Sequence, residues 1–522
     1  MPSRKEQFSF TIQRFKGFWN QYKQSKRGVL GIGIIMFFAV VAIFAPLIAP
    51  LDPLNPKWPG YYPGGEQPKQ AEKLCVPIWY KSVLGMHQLS ESIQLMENHE
   101  LTSRTAFEQW VSIYDPTYTS VQYNETRGQH NNDGCIEILY KREDGQAAPQ
   151  DSKASITFAK SFEYPYENNP QSFWYHYSLS VENKTPIILD FPIEISIQFR
   201  RGNEPDAILV KTISLPKPVL LGEANETKWY SKGGTTLGEL SIIEETTFTK
   251  AGNYTYEFVV TIFDPEGSNS DLRVYVDNLQ VILYGEAFGL LGTSSFPEAS
   301  PRDLFTMLVH GTRISFLIGI LTAVFSVLIG LIVGLVSGYV GGLVDEGLMR
   351  FADFLLVLPG LPLLIVLVTV LGKSIWNIIG VLIFMGWMGF SRTVRSMTLS
   401  LRERPFIESA KAAGANKSYI IFRHIVPNVF ALVYISLATS VPGAIIAEAS
   451  LAWLGLGDIT IPSWGIMLFD FSKTQTAVVK GIGEYWFWVI PPGFAIALMA
   501  MAFILMGFSL DEILNPRLRK RR

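Results

Sequence analysis

The chain has 522 residues, of which 48% are hydrophobic and only 17% charged, and its formal net charge is −2. Globular chains average about 25% charged residues, so the deficit points to a membrane, and the near-neutral balance argues against nucleic acid as a partner. No His/Cys cluster has metal-ligand spacing, and neither a GxxxxGK[ST] nor a GxGxxG loop occurs, so the chain carries no metal site and no phosphate cradle of its own.

The N-terminal tail, residues 1–27, is basic: Arg4, Lys5, Arg14, Lys16, Lys23, Lys26 and Arg27 stand against Glu6 alone. Residues 28–51 then form an apolar window long enough to span a bilayer, which takes ~20 residues. That run exceeds the ~7–15-residue core of a signal peptide. Its end at 45–53, APLIAPLDP, puts proline where a processing site needs small residues. We therefore expect a first transmembrane helix.

Residues 52–305 are a different material, polar, aromatic and rich in turns. The Pro/Gly-rich stretch 52–70 reads as a linker, and a helix is expected over 89–114. Alternation then predicts strands. Ile193, Ile195, Ile197 and Phe199 face one way and Glu194, Ser196, Gln198 and Arg200 the other, and 254–262 and 274–283 repeat the pattern. The expected fold of residues 90–285 is an all-β sandwich, and its closing stretch resembles jelly-roll modules, several of which bind carbohydrate. Cys75 and Cys135, the two cysteines of the chain, both lie in this segment. An oxidising location favours a disulfide, which would restrain the unfolded chain by ~4 kcal/mol in the chain-entropy model; two buried, unpaired thiols are the alternative. Asn124, Asn183, Asn225 and Asn253 each begin an Asn-x-Thr triplet, an acceptor only in a host with N-glycosylation.

Five further apolar windows follow, at 314–344, 354–372, 374–391, 425–447 and 485–510, within a five-helix transmembrane half expected at 306–510. In the first of them Ser326, Gly330, Gly334 and Gly338 recur every four residues, a smooth stripe for close helix packing inside the subunit or, second, between subunits. Six spans place the two tails on one side with the loop 392–428. That loop carries Arg392, Arg395, Arg402, Arg404, Lys411, Lys417 and Arg423, and the tail 511–522 ends in Arg517, Arg519, Lys520, Arg521 and Arg522. Everything basic is then cytoplasmic and 52–305 extracytoplasmic. Apart from Glu448 at a margin, no ionisable residue lies inside the windows, so a proton- or sodium-coupled engine is missing.

Within the loop, Ser409-Ala410-Lys411-Ala412-Ala413-Gly414 predicts a short helix with little side-chain bulk, open to a closely approaching surface. Pro427 falls where the next span is expected to begin, a tolerant position for proline. Glu408, Ala410, Gly414 and Pro427 have the spacing of the "EAA" loop of ABC importer membrane subunits, with Ser409 in place of the first alanine and Val426 in place of the leucine before proline.

The chain resembles the C-type permease subunit of the oligopeptide/dipeptide/nickel importer family. Further blocks of likeness are 45–53, Leu291-Gly-Thr293 with Pro301-Arg-Asp303 (lacking the family's His and second Gly), and 338–359. Glu448-Ala-Ser-Leu-Ala-Trp-Leu-Gly-Leu-Gly457, Pro462-Ser-Trp-Gly465 and Asn515-Pro-Arg-Leu-Arg519 complete the series. The resemblance implies a polytopic α-helical membrane protein of six transmembrane helices. It implies a coupling helix, with Arg404, Glu408, Ala410, Ala413, Gly414 and Pro427, that docks in a groove of a cytoplasmic ATPase. The implied partners are a second homologous permease subunit, two ABC ATPase subunits holding ATP and Mg, and an extracytoplasmic solute-binding protein. The chain itself would be no enzyme and hold no cofactor, and the cargo would be a peptide, an oligosaccharide or nickel. A membrane-anchored carbohydrate-binding receptor is the alternative, and the coupling-loop pattern weighs against it. An ion channel would need a filter loop or a ring of charge, and the sequence has neither.

Overall fold

The computed structural model describes residues 19–514 except 55–56, 58–66, 97, 131–133, 144–145, 184–192, 203, 205–206, 216–228, 236–247, 249, 265–270 and 296–300. Two compact units emerge, Met1–Leu54 with Ser294–Arg522, and Asn55–Thr293.

The first unit is helical: α1 (Lys26–Ile48), α2 (Leu304–Val340), α3 (Gly342–Val357), α4 (Gly360–Leu371), α5 (Ile375–Gly386), α6 (Met388–Arg402), α7 (Pro405–Ala412), α8 (Val426–Leu451), α9 (Trp464–Lys473), α10 (Gln475–Lys480) and α11 (Trp486–Leu514). Among the described residues five helices are long and apolar enough to cross a membrane: Lys26–Ile48, Leu304–Val340, Ile375–Arg402, Lys417–Leu456 and Trp486–Ile513. The pair α3 and α4, bent by 94°, makes a sixth if counted as one span.

Several windows shift, each for a local reason. Helix α2 begins at 304 rather than 314 because the Asp303 side chain accepts from Thr306 N at 2.8 Å and caps it. The window 354–372 is not one straight helix. Pro359 disfavours helical backbone at Leu358, which sits extended at φ −68°, ψ 137°, and the chain turns there. The span expected at 425 starts at Lys417, where Asn416 accepts from Tyr419 N at 2.7 Å. Although the helical run continues upstream to Lys417, Pro427 is the second residue of α8, in its first turn as expected. A π turn over Ile421–Ile425 lies just before it, widening the helix ahead of a residue that has no N–H to give.

The small-residue stripe seats α2 directly on α5 and α6. A Cβ added at Gly330, Gly334 or Gly338 would fall 2.8 Å from Trp387 O, 2.5 Å from Ser391 O or 2.9 Å from Arg395 O. Ser326 Oγ reaches Ile383 O at 3.4 Å. All of these contacts are within the chain, so the stripe is spent on internal packing.

The second unit is β-rich. Its strands are β1 (Ile93–Gln94), β2 (Val111–Ile113), β3 (Thr119–Asn124), β4 (Cys135–Lys141), β5 (Lys153–Tyr164), β6 (Ser172–Asn183), β7 (Ile193–Arg201), β8 (Ile208–Leu215), β9 (Tyr230–Thr235), β10 (Gly252–Phe263) and β11 (Asp271–Tyr284). They form two sheets, ordered β3-β4-β11-β6-β9 with β1 added on β11, and β2-β5-β10-β7-β8. All named pairings are antiparallel. The alternation at 193–200 becomes β7, whose Ile193, Ile195, Ile197 and Phe199 enter one core with residues of both sheets. The helix expected over 89–114 is absent. Among the described residues only Arg104–Phe107 is helical there, flanked by β1 and β2, while Leu95, Met96, Leu101 and Trp110 enter the core. Burying those side chains against the sheets outweighs a local helical preference, and Leu101 takes a positive φ of 50° that no helix allows.

The expected Cys75–Cys135 bridge is not formed: both thiols are free and buried. Cys75 Sγ donates to Glu72 O at 3.1 Å, where the chain enters the domain, whereas Cys135 opens β4 opposite Asn124. Each is fixed by its own backbone pairing. Burial pushes the Cys75 thiol up to about 12 and raises that of Cys135 as well. We expect a thiol reagent near pH 8 to find neither group in the native chain and both after denaturation. Fewer than two thiols in the denatured, unreduced chain would restore the disulfide.

Of the four triplets, Asn124 donates from its amide to Glu137 Oε2 at 3.0 Å and Asn253 lies exposed on β10. The side chain of Asn183, all of Asn225, and the tails 1–18 and 515–522 with their basic residues lie outside the described residues.

Candidate functional site

Between α6 and α8 the chain builds a small, protruding platform. Pro405 occupies the first turn of α7, a position that needs no N–H donor, and Ser409 Oγ closes on Pro405 O at 2.9 Å. Ile407 is the single peg: fully buried, it enters a cluster with Leu335, Tyr339, Val394, Leu401, Ile420, Ile425 and Val429. One buried residue in eight leaves most of the helix outward. Arg404, Glu408, Ser409, Lys411, Ala412, Ala413 and Gly414 are exposed, and Ala410 is half-buried at the edge. The exposed face is thus low in relief and rimmed by the basic Arg404, Lys411 and Lys417. Phe406 and Tyr419 flank His424, at 6.2 and 5.7 Å between ring centroids.

Gly414 does a different task from the one its small size suggests. A Cβ there would meet nothing within 4 Å, but the residue sits at φ +80°. It ends α7 with left-handed backbone, which glycine adopts without strain.

Below this platform, ion pairs lock α3 to α6. Arg395 donates from Nε and Nη2 to the two oxygens of Asp345, both at 2.5 Å, and Ser337 also donates to that carboxylate. Arg392 pairs with Asp353, and Arg402 Nη1 reaches Tyr339 O, near the end of α2, at 3.2 Å. A push on α7 therefore meets a braced group of α2, α3 and α6.

The opposite end of α2 holds a second brace. Arg302 Nη1 donates to Asp470 Oδ2 at 2.8 Å and Nη2 to Ile459 O at 3.1 Å, with both side chains buried. Ser463 Oγ donates to Glu448 Oε1 at 2.7 Å while capping α9, and Trp464 Nε1 donates to Leu308 O at 3.0 Å. Gly465 permits this packing, since a Cβ would fall 2.8 Å from Ala449 Cα. The sequence blocks at 448–457 and 462–465 thus meet in space, and Arg302 of the block at 301–303 bonds to Ile459 and Asp470 beside them. Sequence reasoning found the blocks and missed the pairs Arg302–Asp470 and Asp345–Arg395. The available signal was opposite charges at the ends of apolar windows, which had been read only for topology.

Comparison with known proteins agrees with this arrangement. The family described as "Binding-protein-dependent transport system inner membrane component" matches residues 306–520, and "N-terminal TM domain of oligopeptide transport permease C" matches 13–63. The oligopeptide transport system permease protein OppC of Bacillus subtilis is 37% identical over 222 residues, 42% of this chain and 70% of that protein. The dipeptide transport system permease protein DppC of the same organism is 36% identical over 220 residues, 42% of this chain and 67% of the relative. The glutathione transport system permease protein GsiD of Pectobacterium atrosepticum is 34% identical over 219 residues, 42% of this chain and 70% of the relative. With helices able to cross a membrane several times, the paired braces and these matches at both ends of the helical unit, the chain belongs to the C-type permease subunits of the oligopeptide/dipeptide ABC transporters.

Proposed function

We propose that this chain forms half of the translocation path of an ATP-driven importer, with a second permease subunit forming the other half. In this reading α3 and α4 together count as one of six spans. Both termini and α7 are cytoplasmic, and the β-rich unit is extracytoplasmic, where it receives a solute-binding protein. ATP and Mg reside on two partner ATPases. The cargo is a peptide, as the names of the relatives suggest, with an oligosaccharide as the second option.

The observation that carries the reading is the platform at Pro405–Ala412, anchored by Ile407 and otherwise exposed. A helix held by one buried peg on a braced base suits transmission of force from a docked partner. The test is Ala413→Trp. Ala413 is exposed and at φ −76°, so the substitution adds bulk without the strain that Gly414→Trp would bring. Overfilling a packed contact costs ~1–3 kcal/mol, so peptide uptake should fall by about tenfold or more while the chain stays in the membrane. ATP hydrolysis that remains in step with full uptake would remove the docking role.

A further inference from the structure

The β-rich unit hides its large apolar side chains, with one local exception. Among its described residues eight stand exposed with the whole chain present. Val111 and Ile113 on β2 and Leu209 on β8 lie at opposite edges of one sheet. The other five, Ile78, Val83, Leu84, Met86 and Leu290, gather at one tip. Ile78 N donates to Gly289 O at 3.0 Å and Trp79 Nε1 to Leu290 O at 2.9 Å, which ties the two segments together. A single helical turn, Tyr80–Val83, follows, and Gly85 at φ +70° reverses the chain so that Met86 N reaches back to Tyr80 O at 3.4 Å. Apolar residues scattered singly over a surface need no explanation, but a gathered patch marks a contact.

The chemistry of the tip suits a bilayer surface. Its backbone is closed on itself: Lys81 N, Ser82 N, Val83 N and Leu84 N donate to carbonyls of Ile78, Trp79, Trp79 and Tyr80 at 2.9–3.2 Å. A segment that meets its own donors can enter an apolar layer without stranding them. Residues 76–90 contain no Asp or Glu, and their one lysine, Lys81, is drawn aside to Glu91 at 2.7 Å and over the Tyr166 ring. Trp79 is half-buried beside the aliphatic residues with its N–H already bonded, an amphipathic ring of the kind that collects at headgroup level. The chain supplies the leash as well. Leu290 precedes α2, a helix able to span, by fourteen positions, at most about 50 Å of extended chain. A tether that short keeps the local concentration of lipid surface high, and a partner from solution has to compete with it.

We propose that this tip is an interfacial anchor: its five aliphatic side chains dip into the boundary between headgroups and acyl chains of the leaflet that the β-rich unit faces, and hold the unit against the membrane. The anchor requires only that the neighbouring helices span a bilayer. It stands whatever the cargo and whatever docks on α7.

The test uses the full chain in phosphatidylcholine nanodiscs, which leave both faces open to solvent, with a nitrobenzoxadiazole label on one added cysteine. Val83→Cys and Val111→Cys are a matched pair, since the two native side chains are 68% and 63% exposed, and the native Cys75 and Cys135 are buried. At Val83→Cys the emission should shift to the blue and be quenched by nitroxides carried on the lipid near the headgroup, with little quenching by aqueous iodide. At Val111→Cys iodide should quench and the lipid-borne nitroxide should not. Leu290→Cys repeats the measurement from the second segment, so that a misfolded Val83→Cys chain does not leave the question open. Iodide quenching at the tip equal to that at Val111→Cys would put the tip in water and overturn the proposal. A label at the tip reached by neither quencher would place it against protein, a second copy or a partner subunit, and would overturn it equally.

Discussion

Arg302→Ala is expected to lower the stability of the purified chain by about 3–5 kcal/mol near pH 8, the usual loss when one partner of a buried ion pair is removed. The geometry makes this site costly. Arg302 joins Asp470 at 2.8 Å, both side chains are nearly inaccessible, and the second guanidinium nitrogen carries the Ile459 carbonyl. Without Arg302 the buried Asp470 carboxyl loses its counter-ion and must either carry an unpaired charge or take up a proton.

The loss should depend on pH, with a definite sign. Burial pushes the Asp470 carboxyl up from 3.8 to about 7, against the pull of the Arg302 guanidinium. The folded chain thus binds this proton more tightly than the unfolded one. That contribution is fully present below 3.8 and is lost as pH rises through about 7. In Arg302→Ala the opposing pull is gone, so the carboxyl rises further. Around pH 5 both proteins hold the proton and the gap reflects the lost packing and guanidinium bonds; from about pH 7 to pH 8 it should widen by up to about 1.4 kcal/mol, one pH unit of linkage. Thermal unfolding in detergent at the two pH values measures this directly. An equal loss at both would assign the effect to packing, and Asp470→Asn should flatten the pH dependence of the parent chain.

What the sequence disclosed followed from how far apart the interacting residues lie. The platform proposed above for coupling could be located from sequence because Glu408, Ala410, Gly414 and Pro427 sit within one loop and their spacing is itself the signal. The stripe from Ser326 to Gly338 was equally local, and its internal packing was the reading preferred from spacing alone. Strand β7 announced itself by strict alternation, which needs no knowledge of its neighbours. The braces were hidden because each joins positions far apart, Asp345 to Arg395 and Arg302 to Asp470, and no local pattern names a partner. The two thiols misled for a related reason: composition and compartment favoured a bridge, but pairing is a matter of distance, and each cysteine is tied to a different strand context. Gly414 shows a subtler gap. Its smallness was visible, while its need for φ +80° was a property of how α7 ends.

A fragment spanning residues 67–293 is expected to fold cooperatively, and one trimmed to 90–285, the limits that alternation suggests, to be weaker by several kcal/mol. The reason lies where the chain enters and leaves the β-rich unit. Val76 N donates to Glu286 O at 2.8 Å, Phe288 N to Val76 O at 2.9 Å, Ile78 N to Gly289 O at 3.0 Å and Thr293 N to Cys75 O at 3.0 Å. Side chains reinforce the seam: Thr293 Oγ1 donates to Glu72 O at 2.6 Å, Ser172 Oγ to Glu72 Oε2 at 2.8 Å, and Tyr284 OH to Lys69 O at 2.9 Å. Trimming removes both partners of the first five bonds and one partner of the last two, leaving Ser172 and Tyr284 without theirs. At a net ~0.5–1.5 kcal/mol each, their sum rivals the ~5–15 kcal/mol that holds a whole domain together. Cutting also exposes the outer residues of β11 that the incoming segment covers, since Cys75 and Glu72 lie buried against that seam. The same seam explains how so large a segment sits between two membrane helices. Its ends are fastened to each other, so the insertion closes on itself and asks of its host only two neighbouring points of attachment. Urea unfolding followed by far-ultraviolet circular dichroism compares the fragments. Equal midpoints would mean that the seam merely decorates the domain and that the sheets alone define it.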